Sequence, residues 1–248
     1  MNSKEEFIFA GAPYSNSAPL VEKLEEIDPR VRVINDHPSS LVRDLNEGKA
    51  DVALIPVAHL FSHPELVMIE GLGVAADGAV QSVLLKCNKK MGKIKTVARD
   101  PASATSNALA ELLLTRYFKQ KVEMVDFNVA EPPDAAVVIG DRALCAGPAP
   151  AGDIDLAEAW LKWTKLPFVF AVWAVRKDFE HIEEVTGIAH KAYAAGFRAT
   201  EEIAERYSEK LGGTHDFWVD YLDHSIHYKL DARDMEGLAR FRKLISKD

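Results

Sequence analysis

The chain has 248 residues, a formal net charge of −8, 48% hydrophobic and 27% charged residues. That is the composition of an ordinary globular protein, too long for one compact unit, so two lobes are expected. The acidic balance works against nucleic acid or an anionic membrane surface as a partner, yet leaves room for a small anion held by a few local donors.

The opening stretch MNSKEEFIFAGA carries Glu5 and Glu6 and no long apolar run, so no secretory signal is expected. No segment approaches the ~20 apolar residues that span a bilayer. Two cysteines, Cys87 and Cys145, make no disulfide framework. A cytoplasmic location is the expectation.

Short apolar runs at Phe7–Phe9, Val31–Ile34, Val52–Ile55 and Val67–Ile69 predict buried strands. Ala18–Ile27 and Ser40–Asn46 have helical spacing between them, the second capped by serine and stopped at Gly48. Ser82–Cys87 predicts a strand, followed by the charged connector NKKMGKIK; Thr96–Arg99 is another strand and Ser103–Phe118 a helix. Val122–Phe127, Ala135–Ile139 and Phe168–Val175 complete the strands, and Asp155–Thr164 is amphipathic. From Glu180 the pattern is entirely helical, most clearly over Ile188–Leu211 and Asp231–Ile245.

This alternation predicts an α/β fold with mixed sheets. Crossings between lobes are expected at Lys86–Lys95 and Pro167–Trp173. They give a discontinuous outer lobe (1–87 and 172–248) around an inserted inner lobe (88–171), with a ligand cleft between them that closes on its ligand. The connector NKKMGKIK is a candidate for the hinge.

In open α/β sheets, ligands gather at the carboxyl ends of strands, where helix N-termini offer unpaired N–H groups. Small polar residues recur at those positions: Tyr14, Asn16 and Ser17 after the first strand, Ser39 and Ser40 after the second, Pro56 and His59 after the third. Ser103, Thr105 and Ser106 follow the strand at Val97, and Gly140-Asp141 the strand at Val137. Each serine or threonine alone can be a helix cap. Together the five loops favour a site for a small polar anion. Asp77-Gly78 marks a tight turn, with Ser82 entering the next strand; a plain hairpin is the competing reading.

Other chemistries lack support. His59 and His63 are four residues apart, but Pro64 follows and no further ligand completes a metal set. His215, His224 and His227 belong to helix surfaces or caps. No glycine-rich phosphate loop is present, so no nucleotide cofactor is expected.

The stretches PYSNSAPL, HPSSLVRDLNEGKADVALIPVAHLF, DGAVQSVLL, DPASATSNALAELLL, VVIGDRAL and DLAEAWLKWTKLPFVFAVWA follow in order over roughly residues 7–176. As a set they resemble the chorismate dehydratases of the futalosine menaquinone-biosynthesis pathway. The resemblance implies a two-lobed fold like that of type-2 periplasmic binding proteins, with a helical C-terminal region. It implies conversion of chorismate to 3-[(1-carboxyvinyl)oxy]benzoate and water without metal or nucleotide. Asn16 and Ser82 would then be the catalytic residues. Tyr14, Ser17, Asp77 and Gly78 would bind substrate, Ser39, Ser103, Thr105 and Ser106 would contact its carboxylates, and Gly140 and Asp141 would shape the pocket. Gln81 and Ala104 stand where the family often carries a basic residue, and Ala76 where serine is common.

The expected chemistry removes the proton from the ring carbon that bears the enol ether, together with the neighbouring hydroxyl, and aromaticity drives it. The hydroxyl-rich loops supply donors but no evident side-chain base, which leaves the substrate's own enolpyruvyl carboxylate for that role. Two other readings stand beside this one: an enzyme like the sister family that makes 1,4-dihydroxy-6-naphthoate, and a non-catalytic cytoplasmic module binding a small anion. A face on the C-terminal helices leaves room for a homodimer.

Overall fold

The computed structural model of the chain describes residues 6–127 and 131–246, and for Ser39 the backbone alone. Its strands are β1 (Phe7–Gly11), β2 (Val31–Asn35), β3 (Val52–Pro56), β4 (Leu66–Ala76), β5 (Val83–Cys87), β6 (Thr96–Ala98), β7 (Glu123–Val125), β8 (Ala135–Ile139), β9 (Asp153–Asp155), β10 (Phe168–Arg176) and β11 (His227–Lys229). The helices are α1 (Ala18–Val21), α2 (Leu24–Ile27), α3 (Pro38–Asn46), α4 (Val57–Ser62), α5 (Ala104–Leu112), α6 (Asp141–Cys145), α7 (Leu156–Thr164), α8 (Ile182–Arg198), α9 (Thr200–Leu211), α10 (His215–Asp220) and α11 (Ala232–Ile245).

Internal contacts divide the chain into a first unit, up to Val74 with Phe170–Leu230, and a second, Ala75–Val169 with the stretch from Asp231 onward. The first unit holds a six-stranded sheet in the order β11-β4-β10-β3-β1-β2. β1 runs parallel to both β2 and β3, and β10 antiparallel to β3 with Trp173 opposite Leu54. All five residues of β3 are buried, as expected of a strand covered on both faces. One face packs Ala10, Ala53 and Ile55 against Leu41 and Leu45 of α3. On the other, Phe9 meets Trp173 edge-to-face at 5.5 Å. Gly196 of α8 is needed there, since a Cβ would stand 2.1 Å from the Pro19 carbonyl oxygen of α1.

The second unit holds a five-stranded sheet in the order β7-β6-β8-β5-β9. β6 is parallel to β7 and β8, whereas β5 is antiparallel to β8, with Val83 opposite Ile139. That reversal places the entrance of β5, at Ser82, at the sheet end where β6 and β8 terminate. Behind the sheet, Trp160 packs edge-to-face on Phe168 at 5.3 Å and on Phe241 at 5.9 Å, and its indole N–H donates to the Pro167 carbonyl at 3.1 Å.

Several expectations differ from these elements. Residues 18–27 form two single turns interrupted at Lys23 rather than one helix. The helix from Ser103 ends in a π-helical turn over Leu113–Tyr117. Residues 188–211 break at Ala199. The C-terminal region is not entirely helical, because β11 pairs along β4, with the Leu230 N–H donating to the Gly71 carbonyl at 3.1 Å. Lys86–Lys95 is no crossing and no hinge: it joins β5 to β6 inside the second unit, held by the Asp134 carboxylate on the Lys95 N–H at 2.7 Å. α11 joins the second unit instead of the outer lobe, because Phe241 packs edge-to-face on Trp160 and Phe168 and Gly237 lies against Pro167.

Candidate functional site

In the first unit the chain leaves β1 and folds into a tight turn over residues 12–17. The Tyr14 N–H donates to the Ala12 carbonyl at 2.9 Å and the Ser17 N–H to the Tyr14 carbonyl at 3.1 Å. Ser17 is buried, and its hydroxyl lies 2.7 Å from the Ala12 oxygen and 2.8 Å from that of Tyr14, so it fastens the turn. Asn16 lies half-buried in the same turn. The turn therefore consumes Ser17 and presents Asn16.

Tyr14 and Ser17 line a cavity of about 220 Å³ together with Asn35, Glu22, Glu25 and Tyr207. Two carboxylates on its wall make it a poor seat for an anion. Ser39 falls in the first turn of α3, and its side chain lies outside the described residues. His59, on α4 after β3, is half-buried, and burial with the neighbouring His63 lowers its pKa.

The second unit brings three loops together at one sheet end. Ser82 enters β5, and its carbonyl accepts the Gly140 N–H at 2.8 Å. Gly140 adopts φ +62° and ψ −149°, a conformation open almost only to glycine. The Asp100 carboxylate, 2% exposed, ties these loops to a third. It accepts the Ala102 N–H at 2.9 Å, the Ile139 N–H at 3.2 Å and the Arg142 guanidinium at 2.6 Å. With those donors attached, Asp100 is a structural anion.

On this platform the hydroxyls have different fates. Ser103 caps α5, accepting the Ser106 N–H at 3.1 Å and donating to the Ser106 hydroxyl at 2.8 Å. Thr105 and Ser106 are buried in the first turn of that helix. Ser82 is 1% exposed, yet its hydroxyl has no hydrogen-bond partner among the described residues. A buried polar group left without a hydrogen bond costs about 1–3 kcal/mol, so native structures keep few of them, and function, strain or a bound water accounts for each. Asp141 opens α6 half-buried.

The Asp77-Gly78 turn is present, with Gly78 at φ +155°, but the Asp77 carboxylate is taken by Arg233 at 2.6 Å. Arg233, in the first turn of α11, also donates to the Lys165 carbonyl at 3.2 Å. Sequence reasoning missed both arginines. Arg233 lies 156 positions from its partner, and no local pattern announces it. Arg142 stands next to the predicted Gly140-Asp141, but its 2.6 Å contact with Asp100 reaches back 42 positions.

The remaining candidates stay apart from these loops' chemistry. Burial pushes the Cys87 thiol up to about 11, which removes it as a nucleophile at neutral pH. His63 hydrogen-bonds Glu65 at 2.8 Å, and among the described residues no three metal-ligating side chains cluster.

Comparison with known proteins places the chain in a family. The chain is 32% identical to a chorismate dehydratase of Campylobacter jejuni, over 83% of this chain and 80% of that protein. It is 29% identical to a chorismate dehydratase of Thermus thermophilus, over 94% and 92% of the two chains. Among solved structures, a protein of Archaeoglobus fulgidus superposes with a TM-score of 0.76 at 14% identity, covering 99% of this chain and 98% of that one. The aliphatic sulphonate binding protein of Escherichia coli superposes at 0.67 with 15% identity, over 99% and 93%. The α/β architecture with two mixed sheets is thus that of periplasmic binding proteins. The profile of a family described as menaquinone biosynthesis matches residues 9–247, and the chain belongs to that family.

Proposed function

We propose that the protein is a chorismate dehydratase, a hydro-lyase that converts chorismate to 3-[(1-carboxyvinyl)oxy]benzoate and water, acting in the cytoplasm in the futalosine route to menaquinone. The single observation that carries the site is the buried, unpartnered Ser82 hydroxyl on a platform of three interlocked loops. Asn16, half-buried after β1, is the other expected catalytic side chain.

In the reaction the C–H bond at the ether-bearing ring carbon breaks, its electron pair forms the ring double bond, and the adjacent C–O bond releases hydroxide. The enolpyruvyl carboxylate of the substrate takes the proton and passes it to the departing hydroxide, so water leaves and the ring becomes aromatic. Ser82 stabilises the leaving oxygen; such a preorganised donor lowers the barrier because it needs no rearrangement as charge develops. Two facts favour a substrate-derived base. Asp100 is fully engaged by two N–H groups and Arg142, and Asp77 by Arg233. If the substrate supplies the base, His59→Gln retains turnover; its loss with chorismate binding intact would give the proton to a side chain. Ser106 and Thr105, at the start of α5, supply donors to a substrate carboxylate.

The test is direct. Chorismate incubated with purified protein loses its diene absorbance as the substituted benzoate forms, without added metal or nucleotide. Tight binding with no turnover makes the protein a binding module instead.

A further inference from the structure

The segment that presents Ser82 is strained, and a carboxylate from β9 holds it. The Ser82 N–H donates to the Val80 carbonyl at 2.7 Å across a three-residue turn centred on Gln81, whose φ is +61°. This is the rare, strained hand of γ-turn, and a left-handed φ at a non-glycine residue persists only where surroundings over-determine it. The over-determining group is Asp155. One carboxylate oxygen accepts the Gln81 N–H at 2.7 Å, and the other accepts the Ala157 and Glu158 N–H groups, each at 3.0 Å. Asp155 thus caps α7 with one oxygen and clamps the Gln81 turn with the other. Its half of β9 lies beside β5, Asp155 opposite Leu84, which fixes the distance between clamp and turn. Burial pushes the Asp155 carboxyl up, against the pull of the N–H groups of Glu158, Gln81, Val80 and Ala157 that it accepts.

We propose that Asp155 is a positioning residue of the dehydratase: by holding the left-handed backbone of Gln81 it aims the Ser82 hydroxyl at the substrate. The proposal rests on the reading of Ser82 as a substrate-contacting group. Asp155 itself touches no substrate. Its carboxylate is spent on N–H donors, and its effect passes through one peptide unit to Ser82.

A double-mutant comparison tests it. Asp155→Ser keeps an N-cap acceptor for α7 but is too short to reach the Gln81 N–H. Gln81→Gly adopts a positive φ without strain, so its turn persists unclamped. In the otherwise unchanged protein, D155S lowers kcat about 10- to 100-fold with KM within about 3-fold, as a small misplacement of a catalytic group does. In the Q81G background the same substitution costs less than about 3-fold, a compensation that loss of a helix cap would not show. Circular dichroism melts verify the fold of each variant, and D155N, which keeps one oxygen for α7, replaces D155S if the serine cap does not suffice.

Equal losses in both backgrounds overturn the proposal, as does a D155S enzyme with full kcat. An inactive Q81G enzyme overturns it too, because the role would then belong to the Gln81 side chain. Ser82→Ala with undiminished turnover is a separate result: it removes the reading of Ser82 on which the proposal rests.

Discussion

Ser82→Ala separates a catalytic serine from a structural one by moving stability and activity in opposite directions. The hydroxyl is 1% exposed and has no partner among the described residues. Desolvating a neutral polar group without replacing its hydrogen bond costs about 1–3 kcal/mol, and alanine removes that cost while keeping the Cβ. Substitution therefore stabilises the free protein by about 1 kcal/mol, which raises Tm by about 2–4 °C in a chain of this size. Turnover behaves oppositely: deleting one preorganised donor costs about 10²–10³ in kcat. The assays are a thermal melt without ligand and initial rates on chorismate. A variant that melts lower than the parent and turns over chorismate at the parent's rate would refute the reasoning, since Ser82 would then be a packed core residue.

Asn16→Ala leaves Tm unchanged within about 1–2 °C, as a half-buried turn side chain outside the core does, yet lowers kcat by about 100-fold in the same rate assay. Gly196→Ala pushes α8 from α1 through a Cβ that would stand 2.1 Å from the Pro19 oxygen; overpacking of this kind costs about 1–3 kcal/mol in a denaturant melt, and KM for chorismate rises as the neighbouring Asn16 turn shifts. Asp134 is held below the usual carboxylate range by Lys89 and by the Lys95 and Thr96 N–H groups. The stabilisation it contributes is present above its unfolded value near pH 4 and disappears as pH falls through the lower folded value. Asp134→Asn accordingly flattens the acid limb of the Tm profile, and an unchanged limb would assign acid lability elsewhere.

Much of the fold could be read from local signals. The runs at Phe7, Val52 and Phe168 are buried strands because few segments can be so continuously apolar and remain outside a core; the run at Val31 is a strand at the sheet edge, where only Val31 is buried. Ser103 caps α5 as its residue type predicts, whereas α3 begins at Pro38 and takes Ser40 into its first turn instead of starting from a serine cap. β11 was hidden because three residues show no period, and only pairing with β4 makes them a strand. The unit assignment of α11 was hidden for a similar reason: amphipathic spacing tells that a helix packs, not upon what.

Which serine hydroxyl remains unused could not be read from the sequence. Ser17, Ser82, Ser103 and Ser106 look alike in sequence. Ser17 is spent on its own turn and Ser103 on a helix cap, whereas Ser82 is buried among groups that give it no partner. That difference arises from the antiparallel entry of β5 beside β8, a tertiary fact. The arginines at 142 and 233 were missed likewise, since each acts on a carboxylate far away in the chain.

The central claim is that this chain dehydrates chorismate itself. Purified protein, treated with a chelator and given chorismate alone, is followed by ultraviolet absorbance, and the product is identified by mass. The account predicts catalytic turnover to the substituted benzoate, one water lighter than chorismate, with Ser82→Ala and Asn16→Ala binding chorismate but turning it over slowly. Chorismate recovered unchanged from active-site-saturating amounts of the protein would contradict it.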